Sequence, residues 1–448
     1  MVLGLASTGF SSGFAIIEQS VSGLGGAFSG GAASAEDAST IFFNPAGMTL
    51  LEGQQVVAGA HVIVPSAEFE AETAENAIAG TPLADVPGAN TSLGTNNGGD
   101  GGVTAVVPNF YYSNKVNDKL SFGLGVNAPF GLTTEYDKDW VGRYHAVDSE
   151  VMTLNINPAV AYRVNEQLSV AAGVSIQYID VTLSSMVDGG LGVFEATGDT
   201  NLLPLASNTD YDVFVENKAD DVGYGFNLGL LYEFSQDTRM GFSYRSEIEH
   251  TVEGDVNTTV PDTLIPFGGE TLFPDQGVNG DITLPAVASL SVYHELSDKL
   301  ALMADLSWTG WSSFDKLTIN FEGAGLAGRD SSTTTENWDD TWRYSAGAAY
   351  QATEALLLRT GVAFDETPIS DEYRTPRIPG EDRTWVTVGA GYQLSESLTL
   401  DCAYAHIFVS DSKMEKDASD PEDAARGTVV GEFENSVDIA SVQLAYSF

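Results

Sequence analysis

Val442, Leu444, Tyr446 and Phe448 alternate with Ser441, Gln443, Ala445 and Ser447, so the chain ends on a strict period-2 strand with an aromatic terminus. Successive strand side chains point to opposite faces. One face of this strand therefore suits oil and the other a polar interior. The pattern recurs along the chain, and no stretch approaches the ~18 consecutive apolar residues that a membrane helix requires. Strands of ~10 residues cross a bilayer if the sheet closes, because closure pairs every backbone polar group. The expected fold class is all-β and transmembrane, an antiparallel barrel rather than a soluble sandwich.

Loop lengths support closure. Short turns at 116–119, 164–167, 235–238, 296–299, 352–355 and 394–397 alternate with polar segments at roughly 66–102, 137–150, 187–221, 256–279, 322–340, 368–382 and 415–435. Short turns on one side and long loops on the other mark an outer-membrane barrel. The strands between them fall near 53–65, 103–116, 120–136, 151–165, 168–186, 222–234, 238–255, 280–296, 299–321, 341–352, 355–367, 383–395, 398–414 and 436–448, fourteen in all. Tyr162, Tyr232, Phe234, Tyr350, Tyr392, Tyr446 and Phe448 gather beside the short turns, where an interfacial girdle is expected.

A barrel of this size is too wide for wall side chains to fill. Residues 1–52 do not read as strand and are expected to form a small, partly helical hatch inside the lumen of the 53–448 barrel. Residues 22–33 are nearly all Gly, Ala and Ser. Ser34 and Asp37 make a capping-box pattern that predicts a helix start, and Asn44-Pro45-Ala46-Gly47 reads as a turn. Ile41, Phe42, Phe43, Met48 and Leu50 are poor residues to leave in water. Met1 to Ala6 is apolar, short for a signal peptide and without a basic start. It reads as a truncated export signal or as the approach to the mature N-terminus.

Against 19 Lys and Arg stand 63 Asp and Glu, a formal net charge of −44. That balance argues against a nucleic-acid partner, which requires cations on phosphate. The single cysteine, Cys402, permits no intrachain disulfide. His61, His145, His250, His294 and His406 lack metal-ligand spacing, and no nucleophile or nucleotide motif is present. No cofactor, metal or catalytic residue is expected.

Several stretches resemble the FadL-type long-chain fatty acid and hydrocarbon transporters. They are Gly13 to Gly25, Asn44-Pro45-Ala46, Tyr244 to Glu247, Trp308-Thr-Gly-Trp311, Phe364 to Pro368 and Ile378 to Arg383. The resemblance implies a fourteen-strand barrel plugged by an N-terminal hatch, and a monomer among outer-membrane lipid and lipopolysaccharide. It implies capture of a long-chain fatty acid, or a similar hydrophobic molecule, in a greasy groove on the third and fourth outer loops. The ligand then moves to a pocket by the hatch N-terminus, where Phe14 matches a ligand-touching phenylalanine. It leaves sideways, by passive diffusion, through a gap at a kink in the third strand.

The residues themselves bear on each step. Pro129, flanked by Asn127 and Gly131, interrupts the third strand, and a strand proline removes a ladder bond. Pro108 and Pro158 lie on neighbouring strands, so one sector of wall is expected to be weak. Leu191, Phe194, Leu202 and Leu203 in one loop, with Leu264, Phe267 and Phe273 in another, either line an acyl groove or form loop mini-cores. Arg163, Arg245, Arg343 and Arg359 are expected to project inward, as are Asp305, Glu247, Glu249, Asp365 and Asp401. They serve either to pair wall with hatch or, for Arg163, Arg245 and Arg359, to contact a carboxylate. Residues 179–186, where fatty-acid carriers of the family can hold a cation, have none. Uptake of neutral hydrocarbons, alkane or aromatic, therefore stays open, and a barrel enzyme or open porin stands as the remote alternative.

Overall fold

The computed structural model describes residues 13–323 and 325–448. Met1 to Ala6 lies outside them. All strand segments belong to one antiparallel sheet. They make fourteen barrel strands, several interrupted: β1 (Gln54–Glu75), β2 (Ala105–Asn117), β3 (Leu120–Asn127 and Gly131–Glu135), β4 (Asp148–Arg163), β5 (Leu168–Val187), β6 (Val213–Glu233), β7 (Thr238–Arg245 and Ile248–Thr259), β8 (Gln276–Leu284 and Val287–Ser297), β9 (Leu300–Thr309 and Lys316–Phe321), β10 (Ser331–Thr335 and Thr341–Gln351), β11 (Leu356–Asp365), β12 (Arg383–Ser395), β13 (Leu398–Val409 and Ser412–Lys416) and β14 (Thr428–Ser447). Closure joins β1 to β14 from Gln55↔Ser447 to Glu75↔Thr428.

The two faces divide as the alternation requires. Val442, Leu444, Tyr446 and Phe448 are between 42% and 64% exposed, while Ser441, Gln443 and Ala445 are at most 9% exposed. β1 and β14 run past the expected 53–65 and 436–448. Their alternation continues with charged outward residues: Phe69 pairs with Phe433 inside, and Glu68, Glu70, Glu432 and Glu434 face water. β7 breaks after Arg245, and the break reverses its faces. Glu247 and Glu249 are therefore exposed on the outside, contrary to the period-2 count, while Ile248 and His250 turn in.

The N-terminal segment folds inside the barrel as α1 (Val21–Gly25), α2 (Gly31–Ser34), α3 (Thr40–Phe43) and a 3-10 turn, Pro45–Thr49. The Ser34 and Asp37 pattern does not start a helix; α2 ends there, because Ala35 adopts a left-handed φ of 47°. Asp37 instead accepts from Ser22 Oγ (2.7 Å), Ser39 N (2.8 Å) and Gln443 Nε2 (2.9 Å), joining hatch to β14.

Helices this short leave most carbonyls without partners. Inward-facing arginines supply the donors. Arg239 Nε reaches Ala33 O (2.6 Å), Arg343 Nη2 reaches Ala27 O (3.0 Å), Arg245 Nη2 reaches Phe42 O (3.1 Å) and Arg163 Nη2 reaches Thr49 O (3.3 Å). Arg359 pairs with Glu36 (2.7 Å) and Asp401 (2.9 Å). Asn44 Nδ2 donates to Ala32 O (2.6 Å) and to Leu230 O of β6 (3.0 Å), and its Oδ1 caps the 3-10 turn at Ala46 N (3.1 Å).

Wall glycines let the hatch backbone touch the barrel. A Cβ on Gly241 would sit 1.7 Å from Ala32 O, and one on Gly361 2.3 Å from Gly26 C. Gly241→Val should therefore unseat the hatch and spare the barrel, whose strands do not need that contact. Planar-bilayer conductance should be near silent for the unsubstituted chain and rise for Gly241→Val, with heat-modifiable gel migration unchanged. An open porin would conduct in both forms.

Candidate functional site

The third strand bends into the lumen. From Asn127 to Leu132 six consecutive residues are buried, where a wall strand would alternate. Pro129 has no N–H to offer β2, and Pro108, opposite the bend, has none to return. Pairing of β2 with β3 accordingly stops at Phe110↔Val126. It resumes only at an isolated bridge, Gly102↔Thr134. Among the described residues the β2–β3 ladder is interrupted over 104–109 and 127–132.

The bend's backbone is satisfied from inside, as buried polar groups must be. Ile16 N donates to Pro129 O (2.8 Å), Gly131 N to Phe14 O (2.9 Å) and Gln19 Nε2 to Ala128 O (2.7 Å). Thr153 Oγ1 accepts from Phe130 N (3.0 Å) and donates to Phe130 O (2.6 Å). Pro158 opens nothing. Two residue pairs to β5 are missing, between Ile156↔Ile176 and Ala159↔Gly173, and the Asn157 side-chain amide donates to the orphaned Val174 O at 2.8 Å. The weak sector is thus two strands wide rather than three.

The first described residues of the hatch sit in an aromatic cage. Phe14 packs 5.0 Å from Trp311, 5.6 Å from Phe314, 5.9 Å from Trp338 and 6.0 Å from Phe130, ring centre to ring centre. Gly13, left-handed at φ 61°, is held so tightly that a Cβ would meet Trp338 at 2.5 Å. Above Phe14 lies a small apolar pocket with Val151, Val181, Ile282 and Ile378 in its wall. Its two ionisable residues are Glu336 and Arg377. A wider vestibule opens above it, and Leu183 and Leu317 line both. Below the Phe14 to Ile17 segment a further cavity reaches Pro129, Phe130, Arg245 and Arg343.

Cations collect at the top of this column. Arg377 lines the pocket and the vestibule, and Arg329 and Arg426 line the vestibule. Arg377 is held by His145 O (3.0 Å), Ser184 O (3.1 Å), Asp148 O (3.2 Å) and Ser149 Oγ (2.9 Å), with no carboxylate bound to it among the described residues. Burial lowers its guanidinium to about 10, which leaves it charged at neutral pH. Burial, then Arg426, Lys416 and Arg377, hold His145 well below the usual imidazole range. Glu336, in the break of β10 on the loop side of outward-facing Trp342, is 4% exposed, and burial pushes its carboxyl up to about 7.

The residues singled out by sequence are distributed as follows. Phe14 lies at the pocket floor, and Asn127, Pro129 and Gly131 make the bend. Asn44, Pro45 and Ala46 anchor the hatch far from the pocket, and Pro45 also borders the lower cavity. Leu191 lines the vestibule. Leu203, Leu264 and Phe273 are at most 1% exposed. Leu264, Phe273 and half-buried Leu202 form one loop core, and Leu191, Leu203 and half-buried Phe194 another. Phe267 stands outside both, 39% exposed. Of the arginines, Arg163 and Arg359 are tied to hatch and wall away from the pocket, and Arg245 borders the lower cavity.

Arg377, Glu336, Trp311, Trp338 and Phe314 escaped the sequence reading as site residues. They sit in strand breaks and in the loop before β12, where period-2 counting assigns no face. One signal was available for Arg377: a cation within Pro376-Arg-Ile-Pro379, in a chain with 19 basic residues, is unusual company.

The model of the outer membrane protein transport protein family (OMPP1/FadL/TodX) matches residues 2–448. A putative outer membrane protein of Neisseria meningitidis serogroup B is 31% identical over 433 residues, covering 93% of this chain and 91% of that one. The long-chain fatty acid transport protein of Escherichia coli O6:H1 is 28% identical over 416 residues, covering 90% and 88%. The crystal structure of a Pseudomonas aeruginosa FadL homologue matches with a TM-score of 0.85 at 28% identity, covering 97% of this chain and all of that one. With a plugged fourteen-strand barrel and a match from end to end, the chain belongs to the outer membrane protein transport protein family (OMPP1/FadL/TodX) and resides in the outer membrane.

Proposed function

We propose that this barrel takes up long-chain fatty acids by passive diffusion, working as a monomer against lipid and lipopolysaccharide, with no chemistry of its own. Residues 1–52 act as the hatch of a 53–448 barrel. The observation that carries the reading is Arg377, a charged guanidinium shared by the vestibule and the apolar pocket above Phe14. Such a fork suits a carboxylate, and the apolar column below it suits an acyl chain. Each buried CH₂ contributes ~0.8 kcal/mol, so about ten contribute roughly 8 kcal/mol before ordering costs. Ligand collects in the vestibule past Leu191 and settles above Phe14. It leaves between β2 and β3 at the Pro129 bend.

Neutral hydrocarbons are the second reading. It is favoured by the four hydrogen bonds already made by the Arg377 Nη atoms to protein oxygens. Uptake of a matched acid and alkane, in cells lacking their own transporter, separates the two. The fatty-acid reading expects the acid to enter at least tenfold faster and to saturate. Preference for the alkane would replace it.

A further inference from the structure

Glu336 is an odd residue for a pocket that receives an anion. It is buried beside Phe14, Ile378 and Leu317, and the only hydrogen bond to its carboxyl among the described residues comes from Trp338 Nε1 to Oε2, at 3.1 Å. A second carboxylate entering the same apolar space would repel it. Two carboxyl groups in one desolvated site cannot both stay ionised, and one proton held between them removes the conflict. We propose that Glu336 is the head-group partner of the bound fatty acid: its carboxyl and the ligand's share one proton, facing Arg377, so that ligand binds with net uptake of a proton whenever Glu336 starts ionised.

This rests on the fatty-acid reading and adds the identity of the second head-group contact. The charged surroundings are consistent with it. Trp338 donates from β10 itself. Arg377 approaches from the loop before β12 and Lys416 from the end of β13, and both lower the carboxyl's proton affinity. Glu422, from the loop after β13, raises it, but its oxygens are bound by Thr335 N and Oγ1, each at 2.8 Å. One shared proton, one carboxylate charge and the nearby Arg377 leave the occupied pocket close to neutral. The arrangement also sets specificity. A sulfonate has the same charge and can have the same chain, but it is too weak a base to share the proton.

The sign follows from the raised proton affinity of the buried acid. Below about pH 7 Glu336 already carries the proton and ligand binds without taking one up. Above that, each binding event draws a proton from solvent, and affinity falls by about tenfold per pH unit. The test is calorimetry on the full chain in detergent, with palmitate and hexadecanesulfonate, in buffers of different ionisation heat between pH 6 and 9. The expected result is uptake of close to one proton per palmitate at pH 8 and a preference for palmitate that shrinks as pH rises. Glu336→Gln should abolish proton uptake and flatten the profile. A wild-type profile that is already flat, or a Glu336→Gln chain with the wild-type slope, overturns the proposal. Arg377→Met in the same assay separates the two failures. If it leaves palmitate affinity unchanged, or if palmitate does not saturate the wild type, the fatty-acid reading itself is lost. If it weakens palmitate while Glu336→Gln changes no slope, only the shared proton is lost.

Discussion

A chain carrying a regular alternating strand in place of Asn127-Ala-Pro-Phe-Gly131, together with Pro108→Val, should fold, insert and stop importing ligand. The substitutions restore N–H groups at 108 and 129, so β2 and β3 can pair upward from Phe110↔Val126 toward the Gly102↔Thr134 bridge. The barrel then gains ladder bonds. The hatch loses three partners, at Ile16 N, Phe14 O and Gln19 Nε2. At about 1 kcal/mol for each hydrogen bond this costs the hatch roughly 3 kcal/mol. The arginine-to-carbonyl bonds, the Asn44 anchors and the glycine contacts remain to hold it. Gel heat-modifiability should therefore stay wild-type while uptake of labelled fatty acid falls to background. Binding in detergent should persist, weakened by the change beneath Phe14. Uptake at the wild-type rate would mean that ligand leaves past the hatch into the periplasm, and Gly241→Val would then accelerate it.

Why the wall was legible and the pocket was not comes down to periodicity. Every barrel strand must satisfy lipid on one side and the lumen on the other, so strands such as β6 announce themselves: Val222, Tyr224, Phe226, Leu228 and Leu230 are all at least 40% exposed, with polar or glycine residues between. The bend was legible for a related reason, since a proline between Asn127 and Gly131 cannot serve a ladder. What periodicity does not encode is a phase change. The break after Arg245 reversed the expected faces of Glu247 and Glu249, and the breaks in β9 and β10 hold Trp311, Phe314, Glu336 and Trp338. Phe314 and Glu336 reach the pocket, and Trp311 and Trp338 the cage around Phe14, because the strand stops being regular there. The helix start expected at Ser34 in the hatch failed for a different reason. The hatch helices are four or five residues long, too short for a capping motif to be decisive, and their positions are set by arginines and glycines of strands hundreds of residues away. The loop leucines were read by composition alone, which does not distinguish a ligand groove from a loop core; Leu203 and Leu264, both 0% exposed, show how tightly such loops pack.

Replacing Arg377 by methionine should weaken fatty-acid binding by roughly thirtyfold, the equivalent of about 2 kcal/mol for a hydrogen bond between charged groups in a partly buried site. Methionine keeps most of the apolar stem and removes the guanidinium. The same change also frees the oxygens of His145, Asp148, Ser149 and Ser184, so some loosening of the vestibule wall is built into the variant. Two comparisons separate that loosening from loss of the head-group contact. A fatty alcohol of equal chain length relies on the column around Leu183, Leu317 and Phe14 rather than on a charge. Its affinity should move by less than threefold, whereas general damage lowers both ligands together. Arg377→Lys keeps the charge but not the fork, so it should recover part of the lost acid affinity without restoring all four backbone and hydroxyl contacts. Acid affinity that survives Arg377→Met unchanged would leave the guanidinium as a strut between loops. The column above Phe14 would then be a site for uncharged chains.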